Sequence, residues 1–197
     1  MPLSRGKWAA TIELLLNKGC VQVSFLSRIF GRSGFLGSKD DRAHVRPLWH
    51  HVVAIAREPR WYADFGVADT VGGRFDAITL ILSLVLLRME REESLIEPSV
   101  RLTELFVEDM DGQLRQNGIG DLVVGKHIGR LMSVLGGRLG AIREALPQGE
   151  DALAQVVARN VTLTDGADPA KLAHEAKELA NRLECLSADE IIAAGFR

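Results

Sequence analysis

Residues 61–87, WYADFGVADTVGGRFDAITLILSLVLL, decide the fold class. The part from Phe75 to Leu87 is apolar almost all round, which is typical of a helix buried at the centre of a bundle. Its longest apolar run, from Ile78 to Leu87, has ten residues and includes Thr79 and Ser83. A membrane-spanning helix needs roughly 20. The stretch therefore predicts the central helix of a helical bundle.

Apolar residues recur at helical spacing on both sides of this stretch. Upstream, a stripe over 48–56 is expected to end at Pro59. Downstream, one helix is predicted over 102–114. A second is predicted from Leu122, which either breaks at Gly136-Gly137 or runs on toward Pro147.

Signals for helix ends predict three further helices. One is expected from about Glu150 to Asn160. Asp168-Pro169 is typical of an N-cap followed by proline in the first turn. Ser187 and Glu190 have the spacing of a capping box, and Gly195 is predicted to be the C-cap. Because no alternating run of β-branched residues indicates a strand, the sequence predicts a single-domain, all-α bundle of six to eight helices.

Charge is unevenly distributed along the chain. The first 60 residues contain ten Lys or Arg against four Asp or Glu, a balance of +6, whereas the remainder has a balance of −8. We predict a basic, partly apolar leader over 1–40 and an all-α domain over 41–197. The leader is expected to contact a membrane surface, and the contact candidates are Phe25, Leu26, Arg28, Ile29, Phe30 and Arg32. The alternatives are a helix docked on the domain and a solvated arm.

The cysteines indicate the compartment. Cys20 and Cys185 show neither metal-ligand spacing nor a disulfide framework, which favours the reducing cytoplasm. Glu13 and Lys18 interrupt the apolar core that an export signal would need.

The dense stretch over 61–76 contains three glycines and three carboxylates, which suggests an active-site loop. A Walker loop is excluded because the glycine spacing is wrong and Arg74 stands where the lysine is needed. Trp61 and Tyr62 are instead expected to bury large area and to need partners for their polar edges.

A corner between two helices explains this stretch without a reaction. Asp69 or Thr70 is expected to cap the following helix. Gly72 and Gly73 are predicted to allow the tight turn that joins the two helices. Arg74 then pairs with Asp69 or Asp64.

A second dense stretch is FVEDMDGQLRQNGIGD, residues 106–121. An EF-hand loop is excluded by spacing, because Gly112 directly follows Asp111. On a helix, Asp111 and Arg115 are neighbours at i,i+4 and are expected to pair. The glycines predicted to form the turn that follows are Gly118 and Gly120.

No constellation for catalysis or metal binding is evident in the sequence. It contains no His-Glu-x-x-His pattern and no Gly-x-Ser-x-Gly elbow. We therefore expect no catalytic residue, no metal and no cofactor. A basic region is interpreted as a solvated helix face, and its members are Lys126, Arg130, Arg138 and Arg143.

Two stretches, 48–80 and 106–131, together resemble the ubiquinol–cytochrome c chaperone family. The motifs that carry the resemblance are WY..FGV.DT..GRFD and DMD..LR..GIGD, and their order and separation make the pair specific. The resemblance spans about Arg46 to Arg159 and is closest to bacterial members. Residues 1–22 match nothing in the family and are interpreted as an extended start.

The resemblance implies a non-enzymatic assembly factor for the cytochrome bc1 complex, respiratory complex III. The implied client is newly made cytochrome b, held at the cytoplasmic face of the inner membrane. A ribosome contact is expected and a DNA partner is not. The implied candidates for client or partner contact are Trp61, Tyr62, Asp69, Thr70, Arg74, Phe75, Asp109, Asp111, Arg115 and Asp121.

Two other functions stay open at this point. The first is an enzyme that uses several carboxylates, with or without a divalent cation, which requires them to converge on one open site. Its candidates are Asp64, Asp69, Asp109, Asp111 and Asp121. The second is a soluble protein-interaction scaffold with no membrane role.

Overall fold

The long apolar helix predicted from Phe75 forms the centre of the structure. This computed structural model describes residues 40–116 and 121–196, without the side chains of residues 40, 41, 114–116 and 121–128. The membrane-contact candidates of the leader lie outside the described residues, and they are Phe25, Leu26, Arg28, Ile29, Phe30 and Arg32.

Eight α-helices make up most of the described chain. They are α1 (Arg46–Ala56), α2 (Pro59–Ala63), α3 (Val71–Met89), α4 (Ile96–Gln116), α5 (Asp121–Ala145), α6 (Glu150–Asn160), α7 (Pro169–Glu184) and α8 (Ala188–Ile192). A short 3-10 helix, Asp40–Val45, leads into α1. Across 40–116 and 121–196 there is no named strand, only one antiparallel bridge between Val67 and Leu163. The prediction of an all-α fold with six to eight helices is confirmed.

Helix α3 is buried along nearly its whole length. Every side chain from Asp76 to Met89 is buried, and the helix packs against α1, α5 and α7 and also contacts α4. Removal of this apolar surface from water is the main force that assembles the bundle. None of the helices in the described ranges is long and apolar enough to cross a membrane.

The other predicted helices are present, and the structure shows whether α5 breaks at Gly136-Gly137. Helix α5 runs unbroken through Gly136-Gly137 to Ala145, so the alternative in which the helix breaks there is wrong. Helices α6 and α7 pack against each other, and α7 also covers α3. Helix α8 contacts α1, where the ring of His51 packs edge-on against Phe196 at 4.7 Å between centroids.

The predicted N-caps are confirmed. The Thr70 hydroxyl accepts the backbone N–H of Gly73 at 3.1 Å, so Thr70 rather than Asp69 caps α3. The Asp168 carboxylate accepts the N–H of Ala170 at the start of α7. Ser187 and Glu190 form the reciprocal capping box of α8. Each cap satisfies an N–H group that has no partner inside its own helix.

The two glycines predicted to form the corner turn lie inside a helix. Gly72 and Gly73 are in the first turn of α3, and the bend before it is at Gly66, whose φ is +74°. A Cβ at Gly73 would lie 2.0 Å from the carbonyl oxygen of Ala68. Close backbone approach, and not turn geometry, therefore requires glycine at 73. The other predicted turn glycines, Gly118 and Gly120, lie outside the described residues.

Backbone hydrogen bonds join this corner to the connection between α6 and α7. The Ala68 N–H donates to the Thr162 carbonyl at 2.9 Å, and the Thr164 N–H donates to the Gly66 carbonyl at 2.8 Å. These bonds flank the bridge between Val67 and Leu163. The corner is thereby held by residues almost a hundred positions later in the chain.

The C-terminal end of α8 differs from the expectation. The residue in the left-handed region is Ala194, with φ of +59°, and not Gly195. Gly195 follows it and donates its N–H to the Glu190 carbonyl at 2.8 Å, as in a Schellman motif. An alanine in this conformation carries a steric penalty that glycine avoids.

We therefore expect Ala194→Gly to raise the free energy of unfolding by about 1 kcal/mol, measured by chemical denaturation. Ala193→Gly is the matched control, because Ala193 has an ordinary helical φ of −72°. A control that stabilises as much as Ala194→Gly would contradict this explanation.

A second prediction concerns His174 on α7, whose Nδ1 lies 3.1 Å from Glu150 Oε1 on α6. The hydrogen bond to Glu150 raises the pKa of His174 above its ordinary value. The pair therefore stabilises the fold below the ordinary histidine pKa, and this contribution is lost as pH rises through the raised pKa. His174→Gln should lower the unfolding temperature at about pH 5.5 and leave it nearly unchanged at about pH 8.5. An equal loss at both pH values would show that packing, not charge, is responsible.

Candidate functional site

Trp61 and Tyr62 anchor α2 to the end of α1. The Trp61 indole N–H donates to the Ile55 carbonyl at 2.6 Å, and the Tyr62 hydroxyl donates to the Ala56 carbonyl at 2.8 Å. Both side chains need a partner for their polar edge, as the sequence predicted, and both have one. Trp61 is only 1% exposed, so it supports the corner from the core. Tyr62 is partly buried, and desolvation raises the pKa of its hydroxyl.

Asp69 and Arg74 form an exposed ion pair at the start of α3. Arg74 Nε donates to Asp69 Oδ1 at 2.7 Å. This hydrogen bond lowers the pKa of the Asp69 carboxyl and raises that of Arg74. Between them, Val71 is 87% exposed and is an exposed large apolar side chain that no sequence signal singled out. We call Asp69, Val71 and Arg74 the corner surface.

Phe75 brings the two dense stretches of the sequence together. Its ring packs against Phe106 of α4, with centroids 6.4 Å apart. Phe106 in turn meets Trp49 of α1 edge-on at 6.0 Å. The guanidinium carbon of Arg138 on α5 also lies 5.5 Å from the centroid of the Phe75 ring. The two stretches that carry the family resemblance, 48–80 and 106–131, are therefore in physical contact.

Asp76, the next residue, is a buried carboxylate with partners from two distant segments. Its Oδ1 accepts from Arg138, and its Oδ2 accepts the Thr162 N–H at 2.8 Å and the Thr162 hydroxyl at 2.7 Å. Arg138 also donates to the Thr79 hydroxyl. Asp76 is 6% exposed, so its charge depends on these partners. We call Asp76, Arg138, Thr79 and Thr162 the Asp76 network.

Sequence analysis did not identify this network. The interpretation of the basic region as a solvated face is wrong for Arg138, whose side chain is only 13% exposed. The Arg143 side chain is 37% exposed and pairs with Glu90. The available signal was a carboxylate at 76, at the head of the longest apolar helix. A charge in that position needs a buried partner, but nothing local identifies a partner 62 residues away.

The acidic residues of α4 are only partly described. Glu108 pairs with Arg42 at 3.0 Å, and Asp109 lines a groove against α1. Arg115 and Asp121 lie in α4 and α5, but their side chains are outside the description, so the predicted pairing of Asp111 with Arg115 stays a prediction. In the part of the chain that the structure describes, no three His, Cys, Asp or Glu side chains could together hold a metal ion. The carboxylate-enzyme hypothesis gains no support there.

The concave regions on the described part of the surface include a groove and a cleft. The larger, the α1–α4 groove, has a volume of about 750 Å³. From α1 it is lined by Arg46, Trp49, His50, Val53 and Ala54, with Arg57 just beyond; from α4 it is lined by Leu105, Glu108, Asp109, Gly112 and Gln113. The second is a cleft of about 490 Å³ between α5 and the end of α6, with Asp76 and Arg138 in its lining.

Comparison with known proteins identifies the family. A model of the ubiquinol-cytochrome C chaperone family matches residues 63–197. The chain belongs to the ubiquinol-cytochrome c chaperone family. This match begins later than the resemblance inferred from the motifs and extends 38 residues further, to the C-terminus. The predicted end of the family region at about Arg159 was therefore wrong. Thr162 of the Asp76 network lies within the region that the family model matches.

A solved structure is also similar to this chaperone-family chain. The crystal structure of the Cbp3 homolog from Brucella abortus superposes with a TM-score of 0.71 at 31% sequence identity. The similarity covers 87% of this chain and 94% of that one. A comparison with curated proteins found no match.

The Asp76 network generates a stability prediction for this chaperone. Arg138→Met leaves a buried carboxylate without its cation and should lower the free energy of unfolding by about 3–5 kcal/mol. Arg91→Met is the control, because it breaks an exposed ion pair. The Arg91 side chain is 65% exposed and its partner Glu184 41%, against 13% for Arg138 and 8% for Asp76, so about 1 kcal/mol or less is expected. Equal losses in chemical denaturation would contradict a special role for Asp76.

Proposed function

We propose that this chain is an assembly chaperone for the cytochrome bc1 complex and that its client is newly made cytochrome b. The observation that carries the proposal is the family match over residues 63–197. The similarity to the Cbp3 homolog over 94% of that chain supports it at the level of the whole fold. Cytochrome b as the client is the part of the proposal that an experiment has to establish.

The corner surface is the region that we propose to contact the client. Of the family-motif residues in this corner, Trp61 is in the core, whereas Asp69 and Arg74 are each about 60% exposed. Val71 adds an apolar side chain beside this ion pair. An apolar group flanked by charges suits a client segment that emerges from a membrane, because such a segment has both apolar and polar parts.

A membrane location is a further part of the proposal. The leader over 1–40 carries the basic and apolar residues that an anionic lipid surface attracts. We propose that it holds the chaperone at the cytoplasmic face of the inner membrane, close to the ribosome that makes the client. This part rests on the sequence of the leader and on the nature of the proposed client.

The proposal predicts that tagged full-length protein recovers cytochrome b from detergent-solubilised native membranes. Arg74→Glu should lower the recovery by about tenfold, because it reverses a charge at the proposed contact and loses about 1.4 kcal/mol. Arg91→Glu is the matched control. Arg91 pairs with Glu184 at 2.9 Å and is 65% exposed, against 62% for Arg74.

The experiment tests the client and the contact surface separately. Repeated absence of cytochrome b with the unaltered protein would contradict the client. Equal recovery by the two variants would contradict the corner surface and leave the client in place.

A further inference from the structure

The α1 wall of the α1–α4 groove carries two arginines, Arg46 and Arg57, with His50 between them. All three side chains are exposed, and none of them makes an ion pair with a described residue. Arg46 and Arg57 are eleven residues apart, which is close to three turns, so both lie on the same face about 16 Å apart. Two exposed arginines on one face of the groove present two separate sites for carboxylates.

The floor and the opposite wall of the groove are different in character. Trp49 and Leu105 lie at its base, and the partly buried Val53 extends the apolar strip along α1. On α4, Glu108 is neutralised by Arg42, and Asp109 adds one carboxylate. The groove therefore combines an apolar strip with a cationic wall on one side and a weakly acidic wall on the other.

Gly112 leaves the α4 wall low. A Cβ at this position would meet no atom within 4 Å, so nothing in the described fold requires glycine there. Glycine in a helix interior costs about 1 kcal/mol relative to alanine. Because Gly112 has no side chain, the backbone of a partner has room to approach this part of α4.

We propose that the α1–α4 groove binds an amphipathic helix of a protein partner. The helix places an apolar stripe on Trp49, Val53 and Leu105 and directs carboxylates to Arg46 and Arg57. A volume of about 750 Å³ accommodates a few side chains of such a helix, and helix-in-groove recognition uses anchors at this spacing. The inference goes beyond the proposed function, because it concerns a different surface and holds whichever protein is the client.

Charge and shape favour this helix over three other occupants of the groove: a nucleic acid, a lipid surface and the chain's own residues 1–39. A nucleic acid would bring phosphates against the carboxylate of Asp109, and a flat lipid surface does not enter a concave groove. The chain's own residues 1–39 carry six Lys or Arg and one Glu, so the cations of α1 repel them. A helix with carboxylates on one flank satisfies the α1 wall and avoids these conflicts.

The test is site-specific photo-crosslinking of the full-length chain in its native cells. Benzoylphenylalanine replaces Ala54 in the groove or, as a control, the exposed Lys171 on α7, and mass spectrometry identifies each adduct. We expect an adduct at Ala54 that maps to a partner segment with apolar residues at helical spacing and at least two carboxylates on one flank. Adducts with lipid, nucleic acid or residues 1–39, or no adduct above the Lys171 control, would overturn the proposal.

Variants of the groove then test the recognition itself. Arg46→Glu combined with Arg57→Glu should lower the adduct yield at Ala54 by about tenfold. Arg130→Glu combined with Arg159→Glu reverses two exposed arginines outside the groove and should leave the yield within about twofold. Gly112→Phe should block the groove, whereas Gly112→Ala should keep the adduct. Folding of each variant is checked by its thermal unfolding, and equal yields across the folded variants would contradict the proposal.

Discussion

A single buried carboxylate, Asp76, fixes how three parts of this chain meet. It lies on α3, takes a charged partner from α5 and accepts two hydrogen bonds from Thr162 in the connection between α6 and α7. Because an unpaired charge in the interior is strongly unfavourable, these segments must stay in register with α3. The same connection pairs with the backbone of the corner through Ala68. The position of the corner therefore depends on the Asp76 network, because Thr162 contacts both.

The network also reaches the other proposed binding surface. Arg138 lies over Phe75, which packs on Phe106, which packs on Trp49 at the base of the α1–α4 groove. One continuous set of buried contacts thus supports both the corner surface and the groove. This arrangement suits a chaperone, because a rigid frame presents two separate surfaces without losing conformational entropy on binding. The same contacts bring together the two dense stretches of the sequence through Phe75 and Phe106.

The parts of the structure that depend on neighbours in sequence were predictable. Helix periodicity, the caps at Thr70, Asp168 and Ser187, and the pairing of Arg74 with Asp69 all follow from residues within five positions of each other. The contacts of Asp76 were not predictable, since composition and spacing do not reveal a partner 62 residues away. For Gly73 and Ala194 the sequence indicated the region but not the reason, which depends on backbone approach and on the exact end of α8.

The proposed function requires this chain for assembly of the cytochrome bc1 complex. It is tested most directly by deleting the gene and measuring ubiquinol–cytochrome c reductase activity and b-type heme absorbance in isolated membranes. Both should fall well below the parental level, and both should return when the gene is restored. Membranes with unchanged activity and unchanged heme absorbance would contradict it.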